Sequence, residues 1–154
     1  MRNAARQQDH LAVLFLDSDH FKQINDTLGH AVGDEVLISV AERVRAQLRE
    51  QDLVARLGGE EFAVLLTPLH TRKDAEHIAE KIVASMRLPV QLDSGRSVST
   101  SLSVGIAYYP DDGADPASLL NAADAAMYQA KRKRRGHWQV AQTERSASEI
   151  KNRS

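Results

Sequence analysis

A chain of 154 residues has room for one well-buried core and too little for two. Its 42% hydrophobic and 27% charged residues exclude a disordered or collagen-like polypeptide, and 20 Lys+Arg against 21 Asp+Glu mean that any anion site must come from local clustering. The lack of cysteine removes disulfides, thiolate nucleophiles and thiolate zinc sites, which suits a reducing cytoplasm. No apolar run reaches the ~18 to 20 residues of a membrane span and no signal-peptide core opens the chain, so a soluble single domain is expected.

After a polar start, Leu11 to Leu16 is an unbroken apolar run that stops at Asp17-Ser18-Asp19, the pattern of a strand buried on both faces with a carboxylate pair at its end. Phe21 to Leu28 predicts a short helix, which Gly29 and Gly33 separate from a longer one. In the longer helix Val36, Leu37, Val40, Val44 and Leu48 form an apolar stripe down to about Arg49. Leu53 to Leu57 and Phe62 to Leu66 flank Gly58-Gly59, a hairpin signal because both glycines accept positive φ. Thr71 and Asp74 resemble a capping box ahead of a third amphipathic helix closed by Pro89. An Asp93-Ser94-Gly95 turn precedes one strand from Val98 to Ile106 in which apolar residues alternate with Ser99, Ser101 and Ser103. Asp115-Pro116 sets the cap and first residue of a last helix that ends in the basic run Lys131 to Arg135. The order β-α-α-β-β-α-β-α predicts an α+β fold, a single mixed, largely antiparallel sheet of about five strands flanked by helices. The domain is expected to fill residues 1–140, with a polar tail over 141–154.

Three places put carboxylates at a strand end or a tight turn: Asp17 with Asp19, Asp34, and Glu60 with Glu61. Singly, each reads as a helix cap or a hairpin polar residue; together they offer the hard oxygens that Mg²⁺ prefers when it also holds phosphates. The stretch Asp17-Ser18-Asp19-His20-Phe21-Lys22-Gln23-Ile24-Asn25-Asp26, then Gly29-His30, Gly33-Asp34 and Arg56-Leu57-Gly58-Gly59-Glu60-Glu61-Phe62, resembles the successive motifs of the GGDEF family, with GGEEF as the signature. Ser103 to Ala107 and Ala123 to Lys131 resemble the family's later strand and helix, so the likeness runs from about Leu11 to Arg135.

The resemblance implies a diguanylate cyclase with a ferredoxin-like, nucleotidyl-cyclase palm-like fold. Such an enzyme joins two GTP into cyclic di-GMP with Mg²⁺, or Mn²⁺ in its place, as a two-fold homodimer. It implies that Asp17, Glu60 and the Ser18 carbonyl hold the metal, that Glu60 accepts the 3′-hydroxyl proton, and that Lys22 stabilises phosphate charge. By the same likeness Asn25 and Asp34 read guanine, His30 lies near the substrate, and Lys131 and Arg135 meet the β- and γ-phosphates. The family's glycine before that arginine is here Arg134, and the asparagine after it is Gly136. Arg49 and Asp52, five residues before Gly58, match the family's inhibitory site for the product. The family's usual opening D-x-L-T segment is missing, which implies a fragment of a longer regulated protein with an upstream sensory or receiver domain. The location implied is cytoplasmic, with the full-length parent open to membrane tethering.

Three other readings stay open at this level. A degenerate domain would bind cyclic di-GMP or GTP without making product, although degenerate sensors usually lack residues such as Asp17, Lys22 and Glu60. A relative that joins GTP to ATP would tend to lack the acid at Asp34. A nucleic-acid binder finds support only in the basic run and is opposed by the balanced charge, so no nucleic-acid partner is expected.

Overall fold

The computed structural model describes residues 10–142. Strand β1 (His10–Asp19) occupies the centre of a five-stranded sheet of order β2-β3-β1-β6-β7, formed with β2 (Leu53–Gly58), β3 (Glu61–Leu69), β6 (Ser101–Tyr109) and β7 (Trp138–Val140). Helices α1 (Phe21–Leu28), α2 (His30–Ala46), α3 (Arg72–Ser85) and α4 (Pro116–Lys133) flank it. Three pairings are antiparallel and β6 with β7 is parallel, so the predicted mixed, largely antiparallel sheet is the one the chain builds.

The two faces of β1 sort its residues by parity. Ala12, Leu14 and Leu16 point into the main core with Val36, Val40 and Val44 of α2, Ile78 and Ile82 of α3, and Val104 and Ile106 of β6. Val13 and Phe15 point the other way, into a second cluster with Ala107 and with Leu119, Ala123 and Met127 of α4. A period of two then carries Asp17 and Asp19 onto the α4 face, opposite Ser103 and Ser101 of β6. The acids at the end of β1 are therefore aimed at the C-terminal half of one helix.

Local signals hold where the chemistry is local. Thr71 Oγ1 accepts from the Asp74 N–H and Asp74 accepts from the Thr71 N–H, completing the capping box of α3. Asp115 accepts from the Ser118 N–H at 2.8 Å with Pro116 opening α4.

Four features differ from the sequence reading. Strand β1 runs on to Asp19 instead of ending at Leu16, because β3 pairs with it as far as Asp17 and β6 as far as Asp19. Gly33 lies inside α2 and does not interrupt it; a Cβ there would sit 1.9 Å from Oδ1 of Asn25 on α1, so the glycine is a close approach between helices. The single strand expected from Val98 to Ile106 is two. β5 (Ser97–Val98) pairs with β4 (Val90–Gln91) in a small separate hairpin around the Asp93-Ser94-Gly95 turn, and β6 starts afresh at Ser101. β7 was not expected at all, and beyond it Ala141 is buried and donates its N–H to Ile106 O at 2.7 Å. The rest of the expected tail, from residue 143, lies outside the described residues, as do residues 1–9.

Candidate active site

The hairpin of β2 and β3 delivers Glu60. Register slips between Arg56 and Gly58, Gly58 stands opposite Glu61, and Gly59-Glu60 makes the turn. Gly58 (φ 155) and Gly59 (φ 49) take backbone angles that side chains resist, so this turn requires its glycine pair. Arg56 Nε donates to the Gly59 carbonyl at 2.8 Å, and the Ser18 N–H donates to the Glu60 carbonyl at 3.2 Å, fixing the turn against the end of β1. Asp17 stands opposite Glu61 across the strand pair, on the α4 face.

Asp17 is the strained member of this group. Lys131 of α4 approaches its Oδ2 at 2.9 Å, while its Oδ1 is buried without a hydrogen-bond partner. Burial, the largest cause, pushes the Asp17 carboxyl up and the charges of Glu60 and Asp19 add to the rise, against the hydrogen bond and charge of Lys131, which pull it down; the net shift is upward. Glu61, which the sequence groups with Glu60 among the carboxylates, is raised as well, by burial first and then by the charges of Asp17, Asp124 and Glu60. The excess of negative charge facing one lysine suits an added cation. Among the described residues no three His, Asp or Glu side chains gather closely enough to hold a metal alone. A divalent ion here would complete its shell from backbone carbonyl and phosphate oxygens, which is how Mg²⁺ is usually bound. The unpartnered Asp17 oxygen and the all-oxygen donor set fit that ion.

Asp19, two residues on, is of a different kind. It is fully buried and saturated, accepting from Ser101 Oγ at 2.5 Å, Ser103 Oγ at 2.8 Å and the Gly136 N–H at 3.0 Å, with Lys131 Nζ at 3.6 Å.

A groove of about 370 Å³ lies between α2 and the hairpin, lined by Asp34, Leu37, Ile38, Ala41 and Arg45 on one side and Val54, Arg56 and Phe62 on the other. Asn25 of α1 rests over Gly33, next to Asp34, and its Oδ1 is buried without a partner. An amide oxygen and a carboxylate thus stand at adjoining positions, the first buried and the second exposed on the groove. His30 opens α2 and is exposed, outside the residues that line the groove; Lys22 is exposed in the first turn of α1. Arg135 is exposed in the loop after α4.

Arg49 and Asp52 form a closed pair at the other end of β2. Arg49 Nε donates to Asp52 Oδ2 at 2.8 Å and Nη2 to Oδ1 at 2.6 Å, and the Arg49 N–H adds a third bond at 2.9 Å. The length of β2 separates them from Glu60, roughly 15 to 20 Å for six extended residues.

A family profile described as "Diguanylate cyclase, GGDEF domain" matches residues 1–137. The chain belongs to the GGDEF family. It is 58% identical over 142 residues to the diguanylate cyclase TpbB of Pseudomonas aeruginosa, covering 92% of this chain and 33% of TpbB. The chain thus spans about a third of the length of that curated relative. The crystal structure of the TpbB GGDEF domain superposes with a TM-score of 0.89 at 57% identity, over 93% of this chain and 89% of that one. The GGDEF domain of DgcB from Caulobacter crescentus, crystallised with c-di-GMP, superposes with a TM-score of 0.79 at 28% identity, over 92% and 84% of the two chains. The α+β sheet of this chain is the fold of those GGDEF-domain structures. Among the described residues no helix is long and apolar enough to cross a membrane.

Proposed function

We propose that this chain is a catalytic domain that condenses two GTP into cyclic di-GMP and two pyrophosphates. The observation that carries the reading is Asp17: a carboxylate with one buried unpartnered oxygen, beside Lys131 and in register with the Gly58-Gly59-Glu60-Glu61 turn. In each half-reaction the 3′-hydroxyl oxygen of one GTP bonds to the α-phosphorus of the other, the bond from that phosphorus to pyrophosphate breaks, and the hydroxyl proton leaves. Asp17, Glu60 and the Ser18 carbonyl would hold Mg²⁺ or Mn²⁺, which supplies charge neutralisation on the triphosphate. Glu60, fixed by the Ser18 N–H through its own carbonyl, stands at the turn's tip as the acceptor for that proton. Lys22, Lys131 and Arg135 provide cations for the phosphates. One domain holds one GTP, so two copies facing across a two-fold axis present both hydroxyls.

The test is nucleotide analysis after incubation with GTP and Mg²⁺, on the chain alone and fused to a dimerising coiled coil. Cyclic di-GMP formation that rises more than linearly with protein concentration is expected. Nucleotide binding without product in either form would leave a binding module instead, and product from Glu60→Gln at the parental rate would refute the assigned chemistry.

Asn25 and Asp34 supply acceptors for guanine's N1–H and amino group, donors that adenine does not present. Asp34→Ala is expected to weaken GTP binding by on the order of tenfold to a hundredfold and to narrow the preference over ATP, read by competition binding. A parental GTP-to-ATP ratio would place base recognition elsewhere. His30 is proposed only as a neighbour of the nucleotide.

Product inhibition through Arg49 and Asp52 is proposed on their distance from the turn and on the planar fork that Arg49 offers to a phosphate or a guanine edge. Their mutual bidentate bond must open for this, since it occupies both Asp52 oxygens. Arg49→Ala is expected to keep the parental initial rate while its progress curves stay straight at product levels that flatten the parent's. Equal cyclic di-GMP affinity in calorimetry would show that the pair only closes the connection between α2 and β2.

A further inference from the structure

We propose that Asp19 is a positioning residue for the triphosphate. It pins the segment from Lys131 to Gly136 against the end of β1, so that Lys131 is held beside Asp17 and Arg135 next to the anchor at Gly136. This rests on reading the site as one that binds GTP.

A fully buried carboxylate is costly unless the protein compensates it. It is tolerated only where hydrogen bonds and charges replace water, and Asp19 has four such partners from three places. Ser101 and Ser103 come from β6, Lys131 from α4, and the Gly136 N–H from the loop beyond it. Pairing of β1 with β6 does not need the carboxylate, because backbone register is continuous from Leu11 to Asp19. What the side chain adds is the tie to α4 and its loop. The helix ends at Lys133 and Arg134 is already extended; the Arg134 N–H is bonded to the Ala130 carbonyl and the His137 carbonyl to the Val104 N–H, which leaves Arg135 and Gly136 between those backbone ties.

The glycine fits this role. Gly136 has φ 71, and a Cβ there would come within 3.3 Å of the Ser101 Cβ, so the loop presses onto β6 at the point where its N–H reaches Asp19. The departure from the family's order at residues 134 to 136 thus has a local cause: glycine stands where the loop touches the sheet. Arg135, immediately before that anchor, is exposed and makes no ion pair among the described residues. Lys131, one end of the same segment, is held between Asp17 and Asp19. One buried acid therefore holds both the lysine beside Asp17 and the loop that carries Arg135.

The experiment compares two nucleotides with Mg²⁺ present: a non-hydrolysable GTP analogue and GMP, which keeps the base and loses the outer phosphates. In Asp19→Asn the analogue is expected to bind about tenfold more weakly while GMP binds within about twofold of the parent. A residue that serves only the fold would lower both affinities together with the melting temperature, or neither. Parental affinity for both nucleotides, or an equal loss for both, overturns the proposal. Should Asp19→Asn fail to fold, Gly136→Ala disturbs the tie from its other end and leaves the carboxylate intact; an unchanged analogue-to-GMP ratio there refutes the role equally. The functional reading fails separately: a parent that binds the analogue and never forms cyclic di-GMP sinks that reading, whereas a productive parent with an indifferent Asp19→Asn sinks only this one.

Discussion

Asp17→Asn is expected to melt at a higher temperature than the parent at neutral pH while losing at least about a hundredfold in turnover, since it removes a ligand of the proposed metal. The stability gain follows from the direction of the Asp17 shift. Burial is its largest cause, and with the charges of Glu60 and Asp19 it outweighs the hydrogen bond and charge of Lys131, so the carboxyl holds its proton more tightly folded than unfolded. A carboxyl whose folded value lies above the ordinary 3.8 favours the folded state when protonated. As pH rises from 3.8 through the folded value, that advantage is lost, and at neutral pH the full cost of ionising Asp17 in place remains. Asparagine removes the cost. The gain in melting temperature should therefore be present at pH 7 and shrink as the pH is lowered toward the ordinary carboxylate range. A variant that melts below the parent at pH 7 would show that the Lys131 attraction outweighs burial. Activity lost with stability gained is the trade expected of a group held for chemistry.

Gly105→Ala is expected to cost about 3 kcal/mol or more of stability, a large share of what a domain of this size has. Gly105 is the point of β6 on which α4 rests. A Cβ there would lie 2.0 Å from the Ala123 carbonyl oxygen, 2.3 Å from the Met127 N and 2.9 Å from the Met127 Cα. All three are backbone atoms, so no side chain can rotate out of the way and the helix itself must lift. Urea denaturation should show a lower midpoint with little change in slope. Because Lys131 follows Met127 by one helical turn, the surviving folded protein should also bind the GTP analogue more weakly. A change within about 0.5 kcal/mol would mean that helix and sheet are not in this contact.

The parts of this architecture that are legible in the sequence are those whose cause is local. Two apolar runs around Gly58-Gly59 and the caps at Thr71 and Asp115 each lie within a few residues of their partners, and the structure has the elements there. The hairpin lies beside β1, with Asp17 in register with Glu61. What escaped notice depends on distant partners. Trp138-Gln139-Val140 is three residues long after a basic run, and it is a strand only because β6 offers a parallel edge. Asp17 and Asp19 look alike in sequence, and parity puts both on one face. Only the serines of β6 and the Gly136 N–H, more than 80 residues away, make one of them saturated and leave the other with a bare oxygen. Asn25 was singled out for the base, but the glycine that lets it lie against α2 looked like a helix break.

The parallel pairing of β7 with β6 has a consequence for biosynthesis. During translation β1, β3 and β6 can associate as soon as residue 109 has left the ribosome, because their contacts are antiparallel and already complete. The chain beyond Gly136 cannot be fastened to the sheet until residues 138–140 emerge and align on Val104, Gly105 and Ile106. The nascent domain therefore displays its carboxylate end before it owns the cations that answer it. A pulse of arrested chains of increasing length should acquire protease resistance in two steps, and the capacity to hold a nucleotide triphosphate only with the second.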